Sequence, residues 1–262
     1  RYSNLILEGA DLQGVLERKR ELIERSKPFI EHLYSIVKGS NFFTILTDEN
    51  GCILNVIGDE KILEEAFSIK MIPGAYMDEK NIGTNAMSLA LTEKKPIQIS
   101  GEDHYIKAYH KWTCSAAPIM DSNNQLIGVL DLTGYFDSVN SHTLGMVVAA
   151  VNAIERMMEI IEYNKKLLSA KIYIDTMIDS IPAGIMTSDL YGNIKTINKH
   201  ITDLFGYTEE EMIHKKAYDL FEDWDNAIKA ITLKDQYLDE DVFVHSRKNV
   251  LQYNLSVYPI LD

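Results

Sequence analysis

Five side chains capable of polar chemistry fall within eleven residues: His104, Tyr105, His110, Trp112 and Cys114. Such a cluster suits the wall of a small-molecule pocket, which needs an apolar enclosure and a few directed hydrogen bonds. Trp112 would enclose and donate through its indole; the histidines and Tyr105 would donate and accept. A ligand matched to that wall is a small ketone, diol or alcohol. In the plainer reading Trp112 is core and the histidines lie on a surface lid. Two further residues join the candidate pocket. Asn85 follows Gly83-Thr84 at the start of a helical run, where free amides hold polar groups, or where a polar side chain simply caps the helix. Asp131 interrupts an apolar strand. It either bonds a ligand or lies on the outer face of its sheet, as strand alternation permits, and the outer face is the simpler expectation.

Other chemistries use the same residues. His104, His110 and Cys114 are acceptable zinc or iron ligands, with Asp131 or Asp103 as a fourth. Their spacings of six and four match no finger pattern, and no metal or other cofactor is assigned. Cys114 would sense redox state if His110 stabilised its thiolate, although a small cysteine beside Ser-Ala-Ala in a strand usually just packs. Cys114, His110 and Asp131 are formally a catalytic set. Nothing in the spacing assembles them, and the chain is not expected to be an enzyme.

The elements that must position these residues follow from periodicity. Residues from Asp11 to Val37 have helical period, with Pro28 a possible bend and Gly39 a stop. Strands Phe42–Leu46 and Cys52–Ile57 flank Asn50-Gly51, a strong hairpin signal. Helical stretches Lys61–Ile69 and Asn81–Thr92 precede a strand at Pro96–Ile99. Glu102–Lys111 reads as a short helix or lid. Strands Ser115–Met120 and Gln125–Thr133 close the unit. Mostly hairpin-paired strands with flanking helices describe an α+β fold with a mostly antiparallel sheet. Ser141 to Asp179 reads as one long helix. Val147, Val151, Ile154, Met158, Ile161 and Leu168 mark a seam on it, as expected of a homodimeric connector. A second unit follows: strands Ala183–Thr187 and Ile194–Asn198, short helices Lys199–Leu204, Glu209–His214 and Ala227–Asp235, then strands Asp241–Val244 and Val250–Leu261. It stops without a closing strand or helix and is expected to be incomplete.

Composition narrows the function classes. The chain of 262 residues is 46% hydrophobic and 25% charged, with a formal charge of −13. An acidic chain repels phosphate backbones, so DNA binding by this piece is not expected. Two cysteines fit a reducing cytosol, and a cytoplasmic location is expected. The longest apolar run, Leu144–Ile154, falls short of the about 20 residues that span a bilayer. No phosphate-binding G-x-x-x-x-G-K-[ST] motif occurs.

The run NIGTNAMSLALTEKKPIQISG, then HKWTCSAAPI, then GVLDLTG, resembles the amino-terminal GAF domain of sigma-54-dependent activators of the acetoin-catabolism and dihydroxyacetone-operon types. IDSIPAGIMTSDLYGNIKTINKHITDLFGYTEEEM resembles a PAS domain, with Asn198 at its usual asparagine. The resemblance implies a GAF sensory domain over residues 1–160 and the connector end plus an incomplete PAS domain over 161–262. It also implies an effector-sensing region whose contacts with DNA and sigma-54 RNA polymerase lie in domains outside this chain. A rival expectation is an interaction module that senses a partner protein, because the dihydroxyacetone-type regulators respond to kinase subunits.

Overall fold

The computed structural model describes residues 2–138, 140–222, 224–232 and 237–260. The end of the expected helix Ala227–Asp235 and Leu261 lie outside them. The chain divides into two compact units, Arg1–Asn164 and Lys165–Asp262.

The first unit is one antiparallel sheet covered on both faces. Its strands are β1 (Phe42–Asp48), β2 (Ile53–Gly58), β3 (Ile97–Ser100), β4 (Trp112–Met120) and β5 (Leu126–Tyr135), in the order β2-β1-β5-β4-β3. The hairpin between β1 and β2 forms where Asn-Gly was read. Asp48 Oδ1 accepts from the amides of Asn50 and Cys52, and Gly51 takes φ +84. Helices α1 (Gly9–Arg18) and α2 (Arg20–Val37) cover one face through Val15, Leu22, Ile30 and Leu33. The single helix expected over 11–37 is thus two. The break at Lys19 lets Val15 and Leu22 reach the same core. Pro28 lies inside α2 without ending it. Proline has no amide hydrogen to donate to the Glu24 carbonyl, and both residues are exposed.

The opposite face is covered by α3 (Glu60–Ser68), α4 (Glu79–Ile82) and α5 (Ala86–Glu93), through Ile62, Ala66, Ile82, Met87 and Ala90. Residues 101–111, expected as a short helix or lid, form two 3₁₀ turns, Gly101–Asp103 and Lys107–Tyr109.

Helix α6 runs for 40 residues, Ser141–Ser180. Val147, Val151 and Ile154 are buried in the first unit's own core, and Met158 packs against the same cluster. This corrects the assignment of Val147, Val151 and Ile154 to a dimer seam, because a side chain already enclosed by its own sheet has no surface left for a second helix, whereas Met158 is half-buried. Ile161 is half-buried and Leu168 exposed.

The second unit has two antiparallel hairpins, β6 (Met186–Ser188) with β7 (Ile194–Ile197) and β8 (Tyr237–His245) with β9 (Val250–Val257). Helices α7 (Lys199–Phe205), α8 (Glu209–Ile213) and α9 (Trp224–Thr232) lie between them. Ile194, Phe205, Met212, Leu220 and Val242 build its core. Asn198 ties strand to helix. Its Oδ1 accepts from the amides of Ile185 and Ile201, and its Nδ2 donates to the carbonyls of Ala183 and Ile178. Thr208 and Glu211 form a capping box on α8.

Candidate functional site

In antiparallel strands, directly paired residues project to the same face. The register pairs Cys114 with Thr133 and Ala116 with Asp131 across β4 and β5, and Ile45 with Asp131 across β1 and β5. Asp131 therefore points inward, towards α3 and α5, among Ile45, Cys114 and Ala116 of the inner core. It is fully buried, and the expected place on an outer face is corrected. Both faces of this sheet are covered, so alternation alone could not distinguish a wet side from a dry one.

Asp131 is the centre of a small polar island. Thr133 Oγ1 lies 2.5 Å from Asp131 Oδ2 and 3.0 Å from Cys114 Sγ, and its one proton can serve only one of them at a time. Asp131 Oδ1 has no hydrogen-bond partner. Burial pushes the carboxyl up to about 7, against the opposing pull of the Thr133 hydroxyl. Burial also raises the Cys114 thiol well above its ordinary range, and the nearby Asp131 adds to the rise. A thiol held protonated is a poor nucleophile and a poor redox sensor, which weighs against both of those readings of Cys114.

Trp112 is enclosed on every side. Tyr135 stacks on it at 5.2 Å between centroids, and Phe43 meets it edge-on at 5.5 Å. Its indole Nε1–H is buried without an acceptor. Lys111 Nζ sits 4.7 Å from the ring centroid and pairs with Glu65 Oε2 at 2.6 Å, while the Tyr135 hydroxyl donates to Glu65 Oε1 at 2.7 Å. These bonds to Lys111 and Tyr135 lower the Glu65 carboxyl below its ordinary range. They tie α3 to the end of the sheet beside Trp112.

His104 is also buried. Its Nδ1 lies 3.1 Å from the Gly101 carbonyl and so carries the proton, and its Nε2 is left as an unpartnered acceptor. Burial lowers its pKa and keeps the ring neutral. Its ring meets Tyr109 edge-on at 6.4 Å, and the Tyr109 hydroxyl reaches the Ile69 carbonyl at 3.5 Å.

The remaining candidates are placed differently. His110 donates from Nε2 to the His104 carbonyl at 3.0 Å, so it buttresses the 101–111 turns and does not form a catalytic set with Cys114. Tyr105 is 77% exposed and lies outside the interior; its ring covers Gly83, where a Cβ would come within 2.4 Å. Asn85 is spent as the cap of α5. Its Oδ1 accepts from the Ser88 amide, and its Nδ2 donates to the carbonyls of Met77 and Gly83 at 2.9 Å each. With every donor and its carbonyl engaged by the chain itself, Asn85 is a structural cap.

The fold thus gathers Trp112, Cys114 and Asp131 on one inner face and places His104 beside Tyr109 of the same core. Tyr109, Thr133, Lys111 and Glu65 escaped sequence reading. Thr133 was legible, since a residue two positions from Asp131 in a strand shares its face. Glu65 carried no local signal. Among the described residues no three His, Cys, Asp or Glu side chains come together to hold a metal ion, and no helix is long and apolar enough to cross a membrane.

Comparison with known proteins fits this architecture. The family described as GAF domain matches residues 21–157, and the PAS fold matches residues 173–247. A signal-transduction and transcriptional-control protein of Clostridium beijerinckii is 36% identical over 98% of this chain and 40% of its own length. The acetoin dehydrogenase operon transcriptional activator AcoR of Bacillus subtilis is 30% identical over 68% of this chain and 29% of its own length. The PTS-dependent dihydroxyacetone kinase operon regulatory protein of Escherichia coli is 22% identical over 73% of this chain and 30% of its own length. The chain therefore spans well under half the length of these relatives. Among solved structures, the E. coli DhaR(N)–DhaL complex superposes with a TM-score of 0.89 at 17% identity, covering 100% of this chain and 89% of that one.

Proposed function

The chain belongs to the GAF domain family, with a PAS fold behind the GAF unit, and we propose that it is the signal-receiving region of a transcription regulator that senses a partner protein. The regulatory role is supported by the transcriptional regulators it resembles over up to 98% of its length. Sensing of a protein rests on one observation above all: the inner face of the GAF sheet, where a small ligand would sit, is occupied by the chain's own side chains. Trp112, Tyr109, Met71, Met77 and Ile82 are all buried there. A signal that cannot enter must be read from outside. The solved protein of the same fold was crystallised with a protein, DhaL. The partner proposed here is an enzyme subunit encoded among the genes the regulator controls. Helix α6 carries the response, because its first turns are core to the GAF unit and the same helix continues into the second unit. Contacts with DNA and with sigma-54 polymerase belong to domains outside this chain. Titration calorimetry of the chain with that purified subunit should give saturable heat at equal stoichiometry; no heat over the micromolar range would defeat the proposal.

A second reading is kept alive by three buried atoms without partners: Asp131 Oδ1, Trp112 Nε1 and His104 Nε2. Buried polar atoms are normally satisfied. A small hydroxyketone or diol, after rearrangement of the packing, would offer a hydroxyl to Asp131 and an oxygen to the indole. That ligand would raise the unfolding temperature, and Asp131→Asn would abolish the rise. The partner-protein reading expects no rise with acetoin, dihydroxyacetone, butanediol or glycerol.

A further inference from the structure

Three large apolar side chains stand in water at the turn between β6 and β7. Leu190 is 69% exposed, Tyr191 80% and Tyr218 50%, and none belongs to the core of the second unit. Leu190 and Tyr191 occupy the turn itself. Tyr218 lies beside it with its ring over Gly192, where a Cβ would come within 2.9 Å. Together they offer on the order of 400 Å² of surface, the size of the largest apolar patches on soluble chains, which are often functional.

The turn is pinned from every side, and not by these three side chains. Asp189 Oδ1 accepts from the amides of Tyr191 and Asn193, and Asp189 Oδ2 accepts from Asn193 Nδ2 at 2.7 Å. The Gly192 amide donates to the Asp189 carbonyl, and the Gly192 carbonyl accepts from the Ala217 amide at 2.8 Å. Gly192 takes φ +74, which glycine alone adopts easily. Asp189, Gly192 and Asn193 therefore set the turn, and residues 190 and 191 are free to be polar. Instead they hold a leucine and a tyrosine on a backbone already ordered, which lowers the cost of binding a second surface.

We propose that this tip is the surface on which the sensed protein docks; the inference rests on the partner-sensing reading above. The partner presents an apolar hollow that takes Leu190 and Tyr191, with a carboxylate at its rim. The carboxylate is called for by Lys216. Its ammonium reaches the neutral Asn193 Oδ1 and has no carboxylate partner among the described residues, whereas Lys195 is paired with Asp189 at 3.4 Å. The three apolar side chains supply about half of the roughly 800 Å² that one side of a specific interface buries, and Lys216 stands at their edge. The tip is also joined to α6. Strand β7 runs from it to Asn198, whose Nδ2 donates to the Ile178 carbonyl in the last turn of α6, and the next amide, Lys199, donates to Asp179 Oδ1. A load on the tip is thus carried along one short strand to the end of the long helix.

Titration calorimetry with the purified enzyme subunit, run on variants, tests this. Leu190→Ser with Tyr191→Ser should weaken binding by roughly thirtyfold or more, as for hot-spot residues. Lys216→Gln keeps a donor for Asn193 and removes the charge; binding should weaken by about threefold to tenfold and lose its dependence on salt. Tyr105→Ser, at a position 77% exposed on the first unit, should leave affinity within about twofold. Leu190, Tyr191 and Tyr105 are exposed, so these variants should keep the wild-type circular dichroism. Undiminished binding by the tip variant would overturn this surface and leave partner sensing standing. A loss with Tyr105→Ser and none at the tip would move the contact to the first unit and overturn it too. Self-association of the wild-type chain that the tip variant abolishes, with subunit binding unchanged, would give the surface to a second copy and equally overturn it. No heat with the wild-type chain would defeat partner sensing and this surface together.

Discussion

Asp131 concentrates the chemistry of the GAF unit in one side chain, and its environment makes a pH prediction with a definite sign. An unfolded carboxyl titrates near 3.8, and the buried one near 7. Below 3.8 both states hold the proton. Between the two values only the folded state holds it, so stability falls as pH rises, and above about 7 the loss is complete. The loss is on the order of 4 kcal/mol. Asp131→Asn should remove this slope and be the more stable protein at pH 8, as urea unfolding at pH 5 and pH 8 would measure. An unchanged slope in the variant would show that the carboxylate is relieved by a group outside this set. Two other residues carry local tests. Asn85→Ala should cost about 2 kcal/mol or more, because it removes a cap and strands the Met77 and Gly83 carbonyls. Gly83→Ala should cost about 1–3 kcal/mol, since φ +72 with ψ −166 is a glycine conformation. Thermal unfolding would read both. Sequence alone identified Trp112, Cys114 and Asp131, because an aromatic, a thiol and a carboxylate stand out in apolar strands. It could not say which way Asp131 faces, because both faces of this sheet are dry, nor that Asn85 was already fully bonded.

At the scale of elements, the strands and the Asn-Gly hairpin were legible because turn chemistry and alternation are local. The split at Lys19 was not, because it is set by where Val15 and Leu22 must land on the sheet. Helix α6 shows the same limit. Periodicity finds apolar stripes on a helix, yet it cannot tell a stripe that meets its own sheet from one left exposed. The contrast is measurable. Ile154→Glu places a charge in a fully enclosed site and should unfold the GAF unit by several kcal/mol. Leu167→Glu, 51% exposed before substitution, should leave that unit's stability within about 0.5 kcal/mol when measured on dilute chain. Equal losses at the two positions would mean that α6 is buried along its whole length.

For the molecule as a whole, the order GAF unit, long helix, PAS unit was readable from short blocks of sequence, since each block carries the turns and glycines its fold requires. The nature of the signal was not readable. A pocket wall and a packed core draw on the same residue types, and only the packing of Trp112, Tyr109 and the methionines separates them. The measurement that bears most directly on this is native mass spectrometry of the purified chain, alone and then with the purified enzyme subunit encoded beside the regulator's target genes. The expected spectrum shows chains carrying no small organic mass, and a whole-protein increment when the subunit is added. An organic mass retained by each wild-type chain and lost on Asp131→Asn, with no protein increment, would contradict partner sensing and assign the signal to the buried polar island.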